Sequence, residues 1–237
     1  MSLFSRSGKR RPRLAPELDD AQLGRAVRVV THTRPPGPAD LHISFVEELL
    51  DSTGNDWDRR CHRLTVLAEH APRVARSWRL RSPQHPDALL LHAWSIGAAG
   101  RDSAFRAEAE AALDHCRTAG RIRPADPTPW VVTLRLLRVL GRPIRDLMPV
   151  WQEINRREPW HREAYRQILG YLSPEEHGSL TALVGFLDDV RAAMPEHSPV
   201  VGLPLEAAIR QYHRDLGSGG TRALGVGRYW DLSLIHI

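Results

Sequence analysis

The chain of 237 residues holds one lysine, Lys9, against 32 arginines, and two cysteines, Cys61 and Cys116. So few cysteines exclude a disulfide scaffold and fit a reduced cytosolic protein. No apolar run reaches the roughly 18 residues of a spanning helix. The most apolar window, Ala88 to Gly100, is interrupted by His92. Alternation of apolar and polar residues never persists, which argues against β-strands. No apolar stretch follows the basic run Lys9 to Arg13, so a secretory signal is not expected. H-E-x-x-H, G-x-S-x-G, a P-loop and a G-x-G-x-x-G opening a βα unit are all missing. The glycine run Gly217 to Gly227 has neither a strand before it nor a helix after it, so it reads as a linker and not a phosphate cradle. The expectation is a protein that is not an enzyme and carries no cofactor.

What remains is an ordinary globular balance, 42% hydrophobic and 26% charged, enough for a real core. The net charge of +5 is concentrated at one end. Residues 1–34 hold eight basic and three acidic residues, and the rest of the chain is neutral. A basic pI of this origin is weak support for nucleic-acid binding by the body. A nucleic-acid role remains as an alternative through Lys9, Arg10, Arg11 and Arg13, with affinity falling steeply with salt.

Helical periodicity runs through most of the chain. Asp19 or Asp20 is placed to cap a helix to about Val30. The stretch His32 to Ala39, rich in proline, reads as a linker. Beyond it, Asp40 is placed to cap a helix carrying Phe45, Val46, Leu49 and Leu50. Asn55 or Asp56 does the same for Trp57, Cys61, Leu64, Leu67 and Ala68. Residues 73–81 form a short basic helix or turn around Trp78. A further helix ends near Gly97, and Asp102 or Ser103 opens its partner with Phe105, Ala109, Ala112, Leu113 and Cys116. Asp126 or Thr128 starts the helix of Trp130, Leu134 and Leu137. Ile144, Leu147, Met148, Trp151 and Ile154 follow as the cleanest amphipathic stripe. Trp160 to Leu172, then Ser179 to Val190, then Leu205, Ala208, Ile209 and Tyr212 complete the series.

The breakers Pro83, Pro124, Pro159 and Pro195 stand 41, 35 and 36 residues apart, each before a helical segment. That period, over roughly Pro83 to Tyr212, resembles the tetratricopeptide family with its unit of about 34 residues. The family's W-x2-L-G-x2-Y pattern is not kept, since Trp130 is followed by Thr133 and Leu134. The turn around Leu172-Ser173-Pro174 and Gly178-Ser179 is similar to one in bacterial helical domains of unknown function, and the arginine excess resembles actinobacterial chains. The resemblance implies an all-α fold, with antiparallel helical hairpins stacked as a short TPR-like α-solenoid. The organisation then reads as a basic N-terminal arm and linker over 1–39, a helical-repeat domain over 40–216 and a flexible tail over 217–237. Within that tail, 232–237 resembles the translation of a sequencing-library end, so the natural chain is expected to stop matching near Asp231.

Charge blocks point to a partner. Asp40 to Asp58 holds six acids and no base, whereas Arg59 to Arg81 holds seven arginines and one acid. Arg117 to Arg145 repeats that basic pattern. In stacked hairpins such blocks pair with one another or face a ligand. The function expected is a cytoplasmic protein–protein interaction module that binds an acidic peptide or helix through Arg135, Arg138, Arg142 and Arg145. An enzyme's accessory domain is the other alternative. Cys61-His62 and His115-Cys116 do not make a metal site by themselves, because adjacent helical residues point about 100° apart.

Overall fold

A computed structural model of the chain describes residues 17–32, 39–96 and 103–217. Among the described residues there are eleven α-helices and no strand. They are α1 (Ala21–His32), α2 (Ala39–Asp51), α3 (Trp57–His70), α4 (Pro72–Arg81), α5 (Pro86–Ile96), α6 (Ser103–Ile122), α7 (Thr128–Val139), α8 (Ile144–Arg157), α9 (Arg162–Tyr171), α10 (Leu180–Ala193) and α11 (Leu203–Gly217). Residues 1–16 of the N-terminal arm, the prolines of the linker and 218–237 of the C-terminal tail lie outside the described residues, whereas α1, within the expected arm, packs on α2 and α3. The two ends of that linker, His32 and Ala39, are taken into α1 and α2.

Helix starts follow the capping residues. The Asp20 carboxylate accepts from Gln22 N at 3.2 Å and Leu23 N at 3.0 Å. Asp56 accepts from Arg59 N, Asp126 from Thr128 N and Ser179 from Ala182 N, at 2.8–3.1 Å. Each satisfies a donor that the first helical turn leaves unpaired. Asp40 falls inside α2, not before it, and its side chain lies outside the described residues.

The odd-numbered helices pack on one another in succession, α1 on α3, α3 on α5, α5 on α7, α7 on α9 and α9 on α11. The even-numbered ones flank them, with α2 on α4, α4 and α6 on α5, and α8 on α7. α3 also meets α7 and α9, so the row curls back on itself. Helix faces buried on two or three sides make the main core: Leu50, Leu64, Leu67, Trp78, Leu90, Trp94, Val131 and Leu134 are all buried within it. A second cluster of Tyr165, Leu169, Leu183, Leu187 and Leu203 joins it through Trp151, Leu172 and Phe186.

Two predicted stripes are only partly used. Leu147 and Ile154 of α8 are buried, but Ile144 and Met148 stay exposed. In α11 the buried side chains are Leu203, Ala207 and Ala208, while Leu205, Ile209 and Tyr212 face solvent. Both helices lie at the margin of the row, where fewer neighbours cover their apolar faces. The Gly178 chain reversal has a steric basis, since a β-carbon there would overlap the backbone carbonyl of Leu172.

Candidate functional site

The fold distributes the arginines of this chain between two settings. The first is internal. On α3, Arg60 and Arg63 share the face that carries Leu64 and Leu67, and both are buried, at 3% and 2% exposure. Arg63 donates to Asp20 Oδ2 at 2.7 Å, Leu49 O at 2.5 Å, Ser52 Oγ at 2.9 Å and Gln22 Oε1 at 2.9 Å. One guanidinium thus closes the C-terminal turn of α2 and holds the cap of α1. Burial alone would raise the Asp20 carboxyl. The Arg63 bonds, the Leu23 N–H and the Arg63 and Arg59 charges outweigh it and hold Asp20 below its usual range.

Arg60 bridges in the same way. It donates to Leu50 O at 2.9 Å and pairs with Asp87, which also accepts from Arg123 at 2.9 Å. Asp126 completes this buried group, with Arg60 Nε 3.7 Å from its Oδ2. Burial, with Asp87 adding to it, pushes the Asp126 carboxyl up despite its bonds to Thr128 and the Arg60 charge.

The same use of arginine continues along the inner side of the odd helices. Arg135 of α7 lies over the Trp94 ring, 5.1 Å from its centroid. Arg138 is 3.5 Å from Glu176 and passes over Gly170, where a β-carbon would overlap its guanidinium. Arg166 binds Glu163 at 2.7 Å and Glu206 at 2.8 Å, and Glu206 accepts in turn from Arg210 at 2.6 Å. Burial draws Arg135 and Arg138 below their ordinary range, yet a guanidinium keeps its proton near neutral pH.

The four arginines expected to meet a partner therefore separate. Arg135 and Arg138 do not form a wet face: Arg138 is 13% exposed and Arg135 is half-buried against Trp94. The helix stripe argument placed them beside the Leu134–Leu137 face, but the curl of the row brings α3 and α9 over that side. Arg142 reaches back to Glu110 at 2.5 Å and is 43% exposed. Arg145 is 84% exposed, with Asp146 3.8 Å away. Lys9, Arg10, Arg11 and Arg13 lie outside the described residues.

The second setting is the face formed by α4, α5 and α6. α4 carries Arg73, Arg76, Arg79 and Arg81 and no acid. Among the described residues no carboxylate lies within ion-pair distance of Arg73, Arg76 or Arg79. His92 of α5 and His115 of α6 are half-buried beside them, their ring centroids 5.7 Å apart and their planes at 64°. Burial, then the Arg79 charge, pulls both imidazoles down, His92 to about 4. Sequence reasoning passed over this pairing. Its signals were a histidine interrupting the most apolar window, a second beside Cys116, and two arginines three apart on a helix without acids.

Both cysteines are buried. Burial raises Cys61 well above its ordinary range and Cys116 to about 12, so both stay thiols. Among the described residues no group of three or more His, Cys, Asp or Glu side chains is arranged to hold a metal ion. His161 opens α9 fully buried, and burial pulls its imidazole down despite the nearby Asp58 and Glu163 charges. A pocket of about 470 Å³ opens between α1 and α2, lined by Arg25, Val29, Phe45, Glu48 and Leu49. A smaller one of about 200 Å³ lies between Cys116, Trp130, Thr133 and Val150.

Among the described residues the fold is all-α, most arginines have a carboxylate within ion-pair distance, and Arg73, Arg76 and Arg79 of α4 do not. The chain matches no protein-family model, no curated protein and no solved structure. Among the described residues no helix is long and apolar enough to cross a membrane.

Proposed function

We propose that the chain is a TPR-like α-solenoid that acts by binding, and that it docks an acidic peptide or helix of a partner protein. The succession of odd-numbered helices supports the solenoid part of this reading. The observation that carries the binding part is the α4–α6 face. Arg73, Arg76 and Arg79 have no carboxylate within ion-pair distance there, although most other arginines of the body have one. Unpaired cations on a folded surface repel one another, and an acidic partner relieves that repulsion while steering its own approach. The contact surface moves accordingly from Arg135, Arg138 and Arg142 to α4, with Arg145 remaining as an outlying exposed charge.

A labelled glutamate-rich helical peptide, followed by fluorescence anisotropy against the full chain, tests this. Binding should weaken as salt is raised, and the triple variant Arg73→Gln, Arg76→Gln, Arg79→Gln should lose at least about tenfold, the scale of one or two charge-assisted contacts. Equal binding by the triple variant, with an unchanged helical spectrum, rules out this face. The single variant Arg145→Gln should change affinity by less than about twofold.

A further inference from the structure

Within that face, side chains from α4, α5 and α6 form one cluster. Arg76 and Arg79 lie three residues apart on α4 and share a side. His92 comes from α5 and His115 from α6, and their rings meet edge to face. Among the charged groups, Arg79 acts most strongly on both rings. Arg76 and His115 also face His92. The one acid facing His115 is Asp114, which is already paired with Arg117. Among the described residues the cluster therefore holds two fixed positive charges and no free carboxylate.

The ring nitrogens define how the histidines take part. Nδ1 of His92 and Nδ1 of His115 are buried without a hydrogen-bond partner. Placing a proton on a buried, unpartnered nitrogen leaves a donor unsatisfied, which costs free energy. The neutral ring keeps its proton on Nε2, where it can donate outward. Both imidazoles thus offer a neutral N–H next to two guanidinium groups, without having to gain charge. Arg79 Nε is a third buried polar atom with no partner in the same place.

We propose that this cluster forms an oxyanion site, a notch between α4, α5 and α6 that holds one dianionic phosphoryl group, with Arg76 and Arg79 supplying the charge and His92 and His115 donating from Nε2. Two fixed charges match a dianion, whereas a carboxylate neutralises only one. Donors arriving from three helices suit the tetrahedral oxygens of a phosphoryl group better than the planar fork of a carboxylate. The inference rests on the acidic-partner reading and narrows it: the partner segment carries a phosphorylated side chain. Free inorganic phosphate shares the same chemistry and serves as the simplest probe.

The test follows the imidazole nitrogens of the full chain by long-range proton–nitrogen NMR at neutral pH. In the free protein, His92 and His115 should show the neutral tautomer protonated at Nε2. Inorganic phosphate should shift both rings saturably, while fully buried His161 stays in place. Acetate should need a concentration at least about tenfold higher, the worth of one charge-assisted hydrogen bond. Arg79→Gln should weaken phosphate by about tenfold or more, and Arg76→Gln should weaken it in the same direction, with the melting curve of each variant as the control for folding. Unmoved rings, or equal shifts in Arg79→Gln, overturn the site.

Two peptides of one acidic sequence, with and without phosphoserine, separate this inference from the reading beneath it. Tighter binding of the phosphopeptide, with His92 and His115 shifting, supports both. Peptide binding without movement of the two rings overturns the notch and leaves the acidic-partner reading standing. Phosphate shifting the rings while neither peptide binds upholds the anion site and overturns the partner reading.

Discussion

Arg63 and Arg79 are both helical arginines in the same basic block, and the fold treats them in opposite ways. Arg63 is buried and bonded to Asp20, Ser52, Gln22 and the α2 carbonyl of Leu49. Arg79 is half-buried on α4 and has no carboxylate partner. The difference is one of neighbours. α3 lies in the middle of the row, between α1, α5, α7 and α9, so an arginine there meets helix ends and capping acids. α4 flanks the row and meets α2, α3 and α5, with Trp78 against His85. Inside, arginine is mortar between helices. Outside, the same side chain has no carboxylate within ion-pair distance among the described residues.

The comparison breaks most severely at Arg63. Arg63→Met should destabilise the protein by about 3 kcal/mol or more, because buried Asp20 keeps only the exposed Arg59, 3.5 Å away, as a charged partner, and the Leu49 carbonyl loses its donor. Urea unfolding measures it. A loss below about 1 kcal/mol would place Arg63 with the surface arginines.

Acidification is the next largest effect expected. His62, His92, His115 and His161 are all held below their ordinary range, chiefly by burial. The unfolded chain takes up protons on these rings at ordinary histidine pH and the folded chain does not. Stability should therefore be full above about pH 6.5 and fall as pH drops below it. A second loss should set in as pH falls below about 4, where the unfolded chain protonates its carboxyls while folded Asp20 and Glu206, both held low, stay charged. Melting temperature against pH checks both steps. A curve flat from pH 7 to 5 would mean the four rings are open to solvent.

Arg142→Gln should cost less than about 1 kcal/mol, since its pair with Glu110 is half exposed. Smallest of all, Arg79→Gln should leave stability within about 0.5 kcal/mol or raise it slightly, because it removes repulsion and no pair. A clear loss in Arg79→Gln would show an internal partner for Arg79 and end its use as a ligand group. Thiol labelling sharpens the picture from another side: Cys61 and Cys116 should react with a maleimide only on unfolding.

Much of the helical framework was legible residue by residue. Asp20, Asp56, Asp126 and Ser179 cap where their position before an apolar repeat says they should, because capping depends on a donor two or three residues away. Cys61, Leu64 and Leu67 are core for the same local reason, lying on one apolar stripe. Ile144, Met148, Ile209 and Tyr212 belong to equally good stripes and stay exposed, since a stripe reports what a helix can bury and not whether a neighbour arrives to cover it.

By itself, then, the sequence determined that the chain is helical, where most helices begin and which side chains can enter a core, since these follow from contacts within about four residues. The tertiary structure alone decided which arginines are consumed and which are free. Arg63 finds Asp20 across 43 residues and Arg138 finds Gly170 and Glu176 on later elements, while Arg79 finds His92 and His115 and no acid. Charge pairing acts through space over a few ångströms, and only the curl of the helix row sets which blocks come that close.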